Sequence, residues 1–435
     1  MSQGKANSLF DRLKGNRFFR SLLTLSAGTL IAQAVTILAS PLLTRLFTEY
    51  ELALFAFALV PVNTFMASVN GGYNNGIVVE EDGDRVHALV KLSFLVGIGV
   101  SVLVGIGSYV YLRWFSKEGY PALLITVFVL LTLVSFGLIQ TLTAYNNRRK
   151  DYKTIAAVGV WRSLFQSLGN VAAGFAGFGA PGLLFSYLLG NAAGIRRQAR
   201  DIRPELSAIR ATPVRELLDT ARRNYRYPLF TAPAYLVNSF SYSSVTLFIE
   251  ALFEIRLLAY YAMSMRILGL PLMLVSANVG KIFFADASTE FQRKGTFRKT
   301  FNRMTLFLLA IAVPMGLVMF LFAPPLSRWA FGPGWEVAGE YIRILTPMFC
   351  IRFIASAVSP GYMISGRQRA DAVFQVLLLA ASVSAFLLTR WKGYPIETFL
   401  WLVSLLKTLV YLIYLLLLRR FAGRPRTGNP EGAAA

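Results

Sequence analysis

Charge is scarce in this sequence: 15% of its 435 residues are Asp, Glu, Lys or Arg, against about 25% in an ordinary soluble domain. Cysteine and histidine are scarcer still. With Cys350 and His87 each the only one of its kind, neither a disulfide framework nor a Cys/His metal site can be assembled. No Ser/His/Asp set can form beyond the lone His87, which follows the acidic cluster Glu80, Glu81, Asp82 and Asp84 and reads as a solvated loop residue. The GxxxxGK-S/T loop that cradles ATP phosphates is also missing, so the chain does not energise itself by hydrolysis and no cofactor is expected.

What fills the sequence is apolar. Hydrophobic residues make up 55% of it and the mean hydropathy is +0.53. Ser21 to Thr44 is uncharged throughout, long enough to cross a hydrocarbon core of roughly 30 Å. Twelve such runs occur, at about 21–44, 52–79, 92–112, 119–144, 154–176, 180–195, 228–249, 257–280, 304–323, 341–365, 372–389 and 398–418. The run at 180–195 is the weakest, opening with Pro181-Gly182. The first is too long for a signal-peptide core, lacks a convincing cleavage site and reads as a retained helix. The expected fold is an all-α polytopic membrane protein of about 12 transmembrane helices.

Net charge is +22, yet nucleic acid is not the expected partner. A nucleic-acid binder gathers its cations on one solvated face, whereas here they punctuate apolar runs. With the N-terminus inside, 32 of the 44 Lys and Arg fall on inner segments. Only seven fall on outer loops: Arg45, Arg113, Lys117, Arg256, Arg328, Arg390 and Lys392. That bias is the positive-inside pattern and places both termini in the cytoplasm. No outer loop exceeds about 20 residues, which leaves no room for a soluble catalytic domain.

The longest inner segment, 196–227, carries nine arginines and reads as a basic linker, with an amphipathic surface helix from about Pro213 to Asn224. It can serve as a topology anchor or attract anionic lipid. It divides the chain into a six-helix lobe at 1–195 and another at 228–420, followed by a tail at 421–435 expected to be disordered. A faint repeat agrees. Leu46-Phe47 and Leu52-Ala53 align with Leu252-Phe253 and Leu258-Ala259 at an offset of 206. The polar patches Val69-Asn70-Gly71-Gly72 and Val275-Ser276-Ala277-Asn278 share it. Duplicated lobes around a central site are a common transporter plan.

Five cations fall within runs: Arg162, Arg266, Arg343, Arg352 and Lys407. A charge at the bilayer centre costs about 2.5–3.5 kcal/mol on insertion scales, and no Asp or Glu lies deep in any run; Glu250 and Glu397 sit at edges. Such an excess is tolerable where the cations face a wet cavity that takes an anionic ligand. Arg343 lies close enough to a run's end to snorkel. Arg266, Arg352, Arg162 and Lys407 are the candidates for binding phosphate, for which a planar guanidinium fork suits; the competing reading is bonding to carbonyls of broken helices. Asn70, Tyr73 and Asn74 in NGGYNN, Asn238, Ser241 and Tyr242 in NSFSYSS, and Asn278 are candidate glycan contacts, with Gln33, Gln166, Asn170 and Tyr260 as further polar or aromatic lining. Interhelical hydrogen bonding is their alternative employment.

These residues lie among stretches that resemble a known family. SPLLTRLFTEYELALFAFALV (Ser40–Val60), LLAYYAMSMRILGLPLMLVSANVGKIFFADAS (Leu257–Ser288), FGPGWEVAGEYIRILTPMF (Phe331–Phe349) and ISGRQRADAVFQ (Ile364–Gln375) are similar to the Wzx-type O-antigen and exopolysaccharide flippases of bacteria. Those belong to the superfamily that also holds MATE drug antiporters and lipid II flippases. The resemblance implies two six-helix lobes in a V around a central cavity, alternating access, and residence in the inner membrane. It implies an undecaprenyl-pyrophosphate-linked oligosaccharide as substrate, and a polysaccharide polymerase and chain-length regulator as partners. MATE antiporters couple through membrane carboxylates, which weakens the drug-antiporter alternative here. A membrane glycan polymerase or ligase would need a large outer loop. A scaffold in a secretion complex is a third alternative.

Overall fold

A computed structural model describes residues 17–116 and 119–423, and all regular elements among them are helical. The cations Lys5, Arg12, Lys14 and Lys117 and the tail beyond residue 423 lie outside the described residues. The chain folds as two compact units, residues 1–251 and 252–435.

The first unit contains α1 (Arg17–Leu46), α2 (Glu49–Phe65), α3 (Tyr73–Val79), α4 (Gly83–Trp114), α5 (Ala122–Arg148), α6 (Tyr152–Phe175), α7 (Gly179–Ala192), α8 (Val214–Arg223) and α9 (Ala232–Leu252). Helix α1 packs along α6, α6 on α7 and α4 on α5. The TEYE of the first family-like stretch is a capping box. The Thr48 hydroxyl accepts from the Glu51 N–H at 3.3 Å, and the Glu51 carboxylate accepts from the Thr48 N–H at 2.9 Å, which fixes where α2 begins. The apolar run at 52–79 was expected to be one span; it breaks into α2 and α3. Gly71 and Gly72 hold φ of +60° and +79°, a left-handed geometry open to glycine at little steric cost. The run at 180–195 forms only the 14-residue α7, about 21 Å long.

The basic linker docks on the ends of α4 and α5. Lys91 donates to the carbonyls of Arg210 (2.8 Å) and Thr212 (2.7 Å), and Asn146 donates to the carbonyl of Gln198 at 2.9 Å. Glu205 meets Arg149 at 2.6 Å and His87 at 3.1 Å. His87 is therefore a part-buried docking contact on α4 rather than a solvated loop residue, because the linker folds back over it. Burial alone would raise the Glu205 carboxyl, but hydrogen bonds from Tyr145 and His87 and the charge of Arg149 hold it below its ordinary value. Glu250, in the last turn of α9, is buried and accepts from the hydroxyls of Tyr111 (2.9 Å) and Tyr120 (3.4 Å).

The second unit contains α10 (Arg256–Pro271), α11 (Ala277–Lys294), α12 (Arg298–Phe331), α13 (Glu336–Val358), α14 (Gln368–Lys392) and α15 (Ile396–Ala422). Helix α13 is its hub, packed on α10, α12 and α15. Small hydroxyls tie it in: Ser264 of α10 donates to the Ala338 carbonyl at 2.7 Å, and Ser276 to that of Phe353 at 2.8 Å. Between α10 and α11 the chain makes one π-helical turn, Leu272–Ser276, right after Pro271; proline's missing N–H makes such a wide turn local and fixed.

Among the described residues seven helices are long and apolar enough to cross a membrane: α4, α5, α10 continued through α11, α12, α13 continued to Ile364, α14 and α15. Their exposed faces are apolar. On α12 these include Leu306, Val313 and Leu317, as expected where the surrounding solvent is lipid.

Candidate functional site

The first unit holds a half-open cavity of about 390 Å³ lined by α1, α5, α6 and α7. Its polar lining is Gln33 of α1, Thr143 of α5, Arg162 and Gln166 of α6, Tyr187 and Asn191 of α7, and Gln198. Arg162 and Gln166 are one turn apart on α6, and Tyr187 and Asn191 are one turn apart on α7, so each pair shares a face. Arg162 lies about 15 Å along α6 from Tyr152. Its Nη2 donates to Asn191 Oδ1 and its guanidinium stands 5.2 Å from the Phe136 ring centre. Gln198 donates to the Thr143 hydroxyl at 2.7 Å. Three polar atoms of this group have no protein partner among the described residues: Arg162 Nε, Asn191 Nδ2 and Gln198 Oε1. A buried donor or acceptor left unmade costs about 1–3 kcal/mol. Two donors and an acceptor, buried beside the cavity, match the hydrogen-bonding groups of a ligand carrying hydroxyl or anionic oxygens.

The second unit carries the other deep cations. Lys407 of α15 is buried at 2% exposure. Arg352 of α13 lies 5.3 Å from the Phe349 ring centre, and α13 packs against α15, which carries Lys407, and α10, which carries Tyr261. Three packed helices thus bring Arg352, Lys407 and Tyr261 into one neighbourhood. Arg266 is half-buried on α10, one turn before Pro271 and the π-turn. Arg343 bonds the Phe320 carbonyl at 2.9 Å and Glu340 through both carboxylate oxygens, the structural role expected of a snorkelling residue.

Residues 42–340 match a family described as Polysaccharide biosynthesis protein. The chain belongs to that family. No curated protein matches its sequence significantly. Among solved structures, the lipid II flippase MurJ in an inward closed conformation is similar with a TM-score of 0.74 at 13% identity, over 91% of this chain and 87% of that one. An inward-facing multidrug resistance MATE transporter of the MOP superfamily gives 0.65 at 13% identity, over 91% and 98%. A MOP-superfamily transporter from Pyrococcus furiosus gives 0.65 at 14%, over 94% and 97%. At such identities the likeness is one of fold, and this family member has the MOP-superfamily transporter fold.

Several candidate glycan contacts of this polysaccharide biosynthesis protein are engaged in packing. Asn70 is fully buried and donates to the Gly137 carbonyl (2.9 Å) and the Thr141 hydroxyl (3.2 Å). Tyr73 is buried with its ring edge-on to Tyr227. The Ser241 hydroxyl turns back onto the Asn238 carbonyl at 2.8 Å and Asn278 onto the Leu274 carbonyl at 2.8 Å, which is how such side chains satisfy themselves on a helix. Asn74, Asn238 and Tyr242 are part-buried, and the buried Oδ1 of Asn74 has no partner among the described residues. Sequence reasoning singled out Gln33, Gln166 and Arg162 of the first-unit cavity but missed Tyr187, Asn191 and Gln198. The spacing of Tyr187 and Asn191 on one face of the short α7 was the available signal.

Proposed function

We propose that this chain flips an undecaprenyl-pyrophosphate-linked oligosaccharide from the cytoplasmic to the periplasmic leaflet of the bacterial inner membrane by alternating access. In this reading twelve spans form two six-helix lobes joined by the linker 196–227, with both termini cytoplasmic. The observation that supports it most is the first-unit cavity, where a membrane-embedded arginine and two buried amides leave hydrogen-bonding atoms unmade. Sugar hydroxyls supply the complementary donors and acceptors. The diphosphate is assigned to Arg266, Arg352 and Lys407, and the glycan to the Arg162 cavity together with Asn74, Asn238 and Tyr242. Carrying such a head group through hydrocarbon unaided would desolvate at least one phosphate charge, a cost of many kcal/mol. A wet, cationic path removes most of that barrier without any bond being made or broken. The flipped unit would then pass to a polysaccharide polymerase and its chain-length regulator.

The test is a clean deletion in a strain with no paralogue. Lipid-linked repeat units should accumulate on the cytoplasmic leaflet, measured by their resistance to an externally added glycan-modifying enzyme in intact spheroplasts. Normal surface polysaccharide in that strain would refute the proposal.

A further inference from the structure

A second basic cavity lies in the other unit, at the boundary end of α12 and α15, away from the deep cations. Arg298, Leu416, Arg419, Arg420 and Gly423 line about 410 Å³. The Phe297 N–H donates to the Ala422 carbonyl at 3.0 Å, which pins the start of α12 to the end of α15. The Arg298 side chain folds across Gly423, where an added Cβ would meet its Cδ at 3.2 Å and its Nη1 at 3.4 Å. Three arginines therefore line one recess. Arg367 adds a fourth cation at this end, 5.2 Å from the Phe421 ring centre. No ion pair among the described residues involves Arg298, Arg419 or Arg420.

The surface next to the recess is apolar. Leu405, Leu409, Leu412 and Leu416 of α15 are 55%, 55%, 41% and 59% exposed, and their spacing of four, three and four residues puts them on one helical face. The stripe rises about 16 Å along α15, close to half of a hydrocarbon core of roughly 30 Å. Anion-binding groups at the membrane boundary thus continue directly into one leaflet's depth of lipid-facing leucine.

We infer that this recess is a binding site for an anionic membrane phospholipid, its phosphate held by Arg298, Arg419 and Arg420 and an acyl chain lying along the Leu405–Leu416 stripe. The charge selects the head group, and the adjoining stripe selects a lipid over a soluble phosphate. Three cations exceed the single charge of one phosphodiester, so a phospholipid with two phosphates binds more tightly than one with a single phosphate. The site is separate from the proposed glycan path and does not depend on it.

Native mass spectrometry of the purified full-length protein with defined lipids tests this. Phosphatidylglycerol and cardiolipin should be retained in preference to phosphatidylcholine, and raising the salt should release them. Each cation at the surface is worth about fivefold in binding, so Arg298→Gln/Arg419→Gln/Arg420→Gln should lose about a hundredfold. Arg420→Gln alone should lose about fivefold, which keeps the test sound if the triple variant fails to fold. Arg390→Gln, at the far end of α14 from Arg367, should bind like wild type. Equal retention of phosphatidylcholine, equal binding of inorganic phosphate, or preference for undecaprenyl pyrophosphate over both phospholipids would overturn the assignment.

Discussion

Asn70 and Arg162 are both polar side chains among membrane helices, and their neighbours give them opposite roles. Asn70 spends its amide donors on Gly137 and Thr141, and Gly97 and Gly137 leave it room: a Cβ at either would stand 2.6 or 2.9 Å from its Oδ1. Asn70→Ala should therefore lower thermal stability in detergent by about 0.6–1.7 kcal/mol, the span of interhelical hydrogen bonds in membranes, with export falling only as far as the protein's abundance does. Arg162 leaves its Nε buried beside a cavity, without a protein partner among the described residues. Arg162→Lys should leave the membrane level unchanged and lower glycan export severalfold, because an ammonium cannot hold Asn191 and also present a second donor in the same plane. Export equal to wild type would remove Arg162 from the path. At Arg266, Ala should abolish export and Lys rescue it only in part; loss of the protein itself on Arg266→Ala would assign that arginine to structure. The cation excess was legible in the sequence, since a charge in an apolar run stands out. Which polar side chains turn back onto nearby backbone was not, because Ser241, Asn278 and Asn191 differ only in what faces them.

Elements show the same division. Apolar length announces a helix, and all twelve apolar runs lie in helices, whole or broken. The breaks follow local chemistry that can also be read: Gly71-Gly72 leads into the start of α3, and Pro271 precedes the π-turn. The docking of the linker was not legible, because it joins Glu205 to His87 and Arg149, which are far apart in sequence. Since the Glu205 carboxyl is held below its ordinary value, its contribution to docking is present at neutral pH. That contribution is lost as pH falls below the ordinary carboxylate range, about 4.3. Partly exposed pairs of this kind are worth about 0.2–1 kcal/mol each. Glu205→Gln at pH 7 should speed amide hydrogen exchange between Arg203 and Arg215 severalfold. In wild type the same segment should loosen only on acidification. Unchanged exchange in the Gln variant would show that the carbonyl bonds from Lys91 hold the linker without it.

At the scale of the whole chain, the open quantity is the number of crossings, and contacts within each unit constrain it by parity. His87 lies near the start of α4 and Arg149 caps the end of α5, and both reach Glu205. Two long helices that start and finish at one carboxylate form an out-and-back pair, so Lys150 and Arg210 must lie on the same face. Helix α12 runs from Arg298 to Phe331, about 51 Å, and its ends must lie on opposite faces. What contacts do not fix is the stretch between Arg210 and Arg298, which holds α9 and the broken α10–α11. Only the latter is among the seven helices long and apolar enough to span; α9 carries NSFSYSS and the buried Glu250. The positive-inside bias requires α9 to cross, because the arginines of the linker and the cations around Arg298 would otherwise face opposite compartments. Topology reporters fused at Lys150, Arg210, Arg298 and the C-terminus should all score cytoplasmic, and one at Gly334 periplasmic. Opposite scores at Arg210 and Arg298 would mean that α9 lies along the surface. The chain would then have an odd number of spans, its C-terminus would be outside, and two symmetric six-helix lobes could not be built from it.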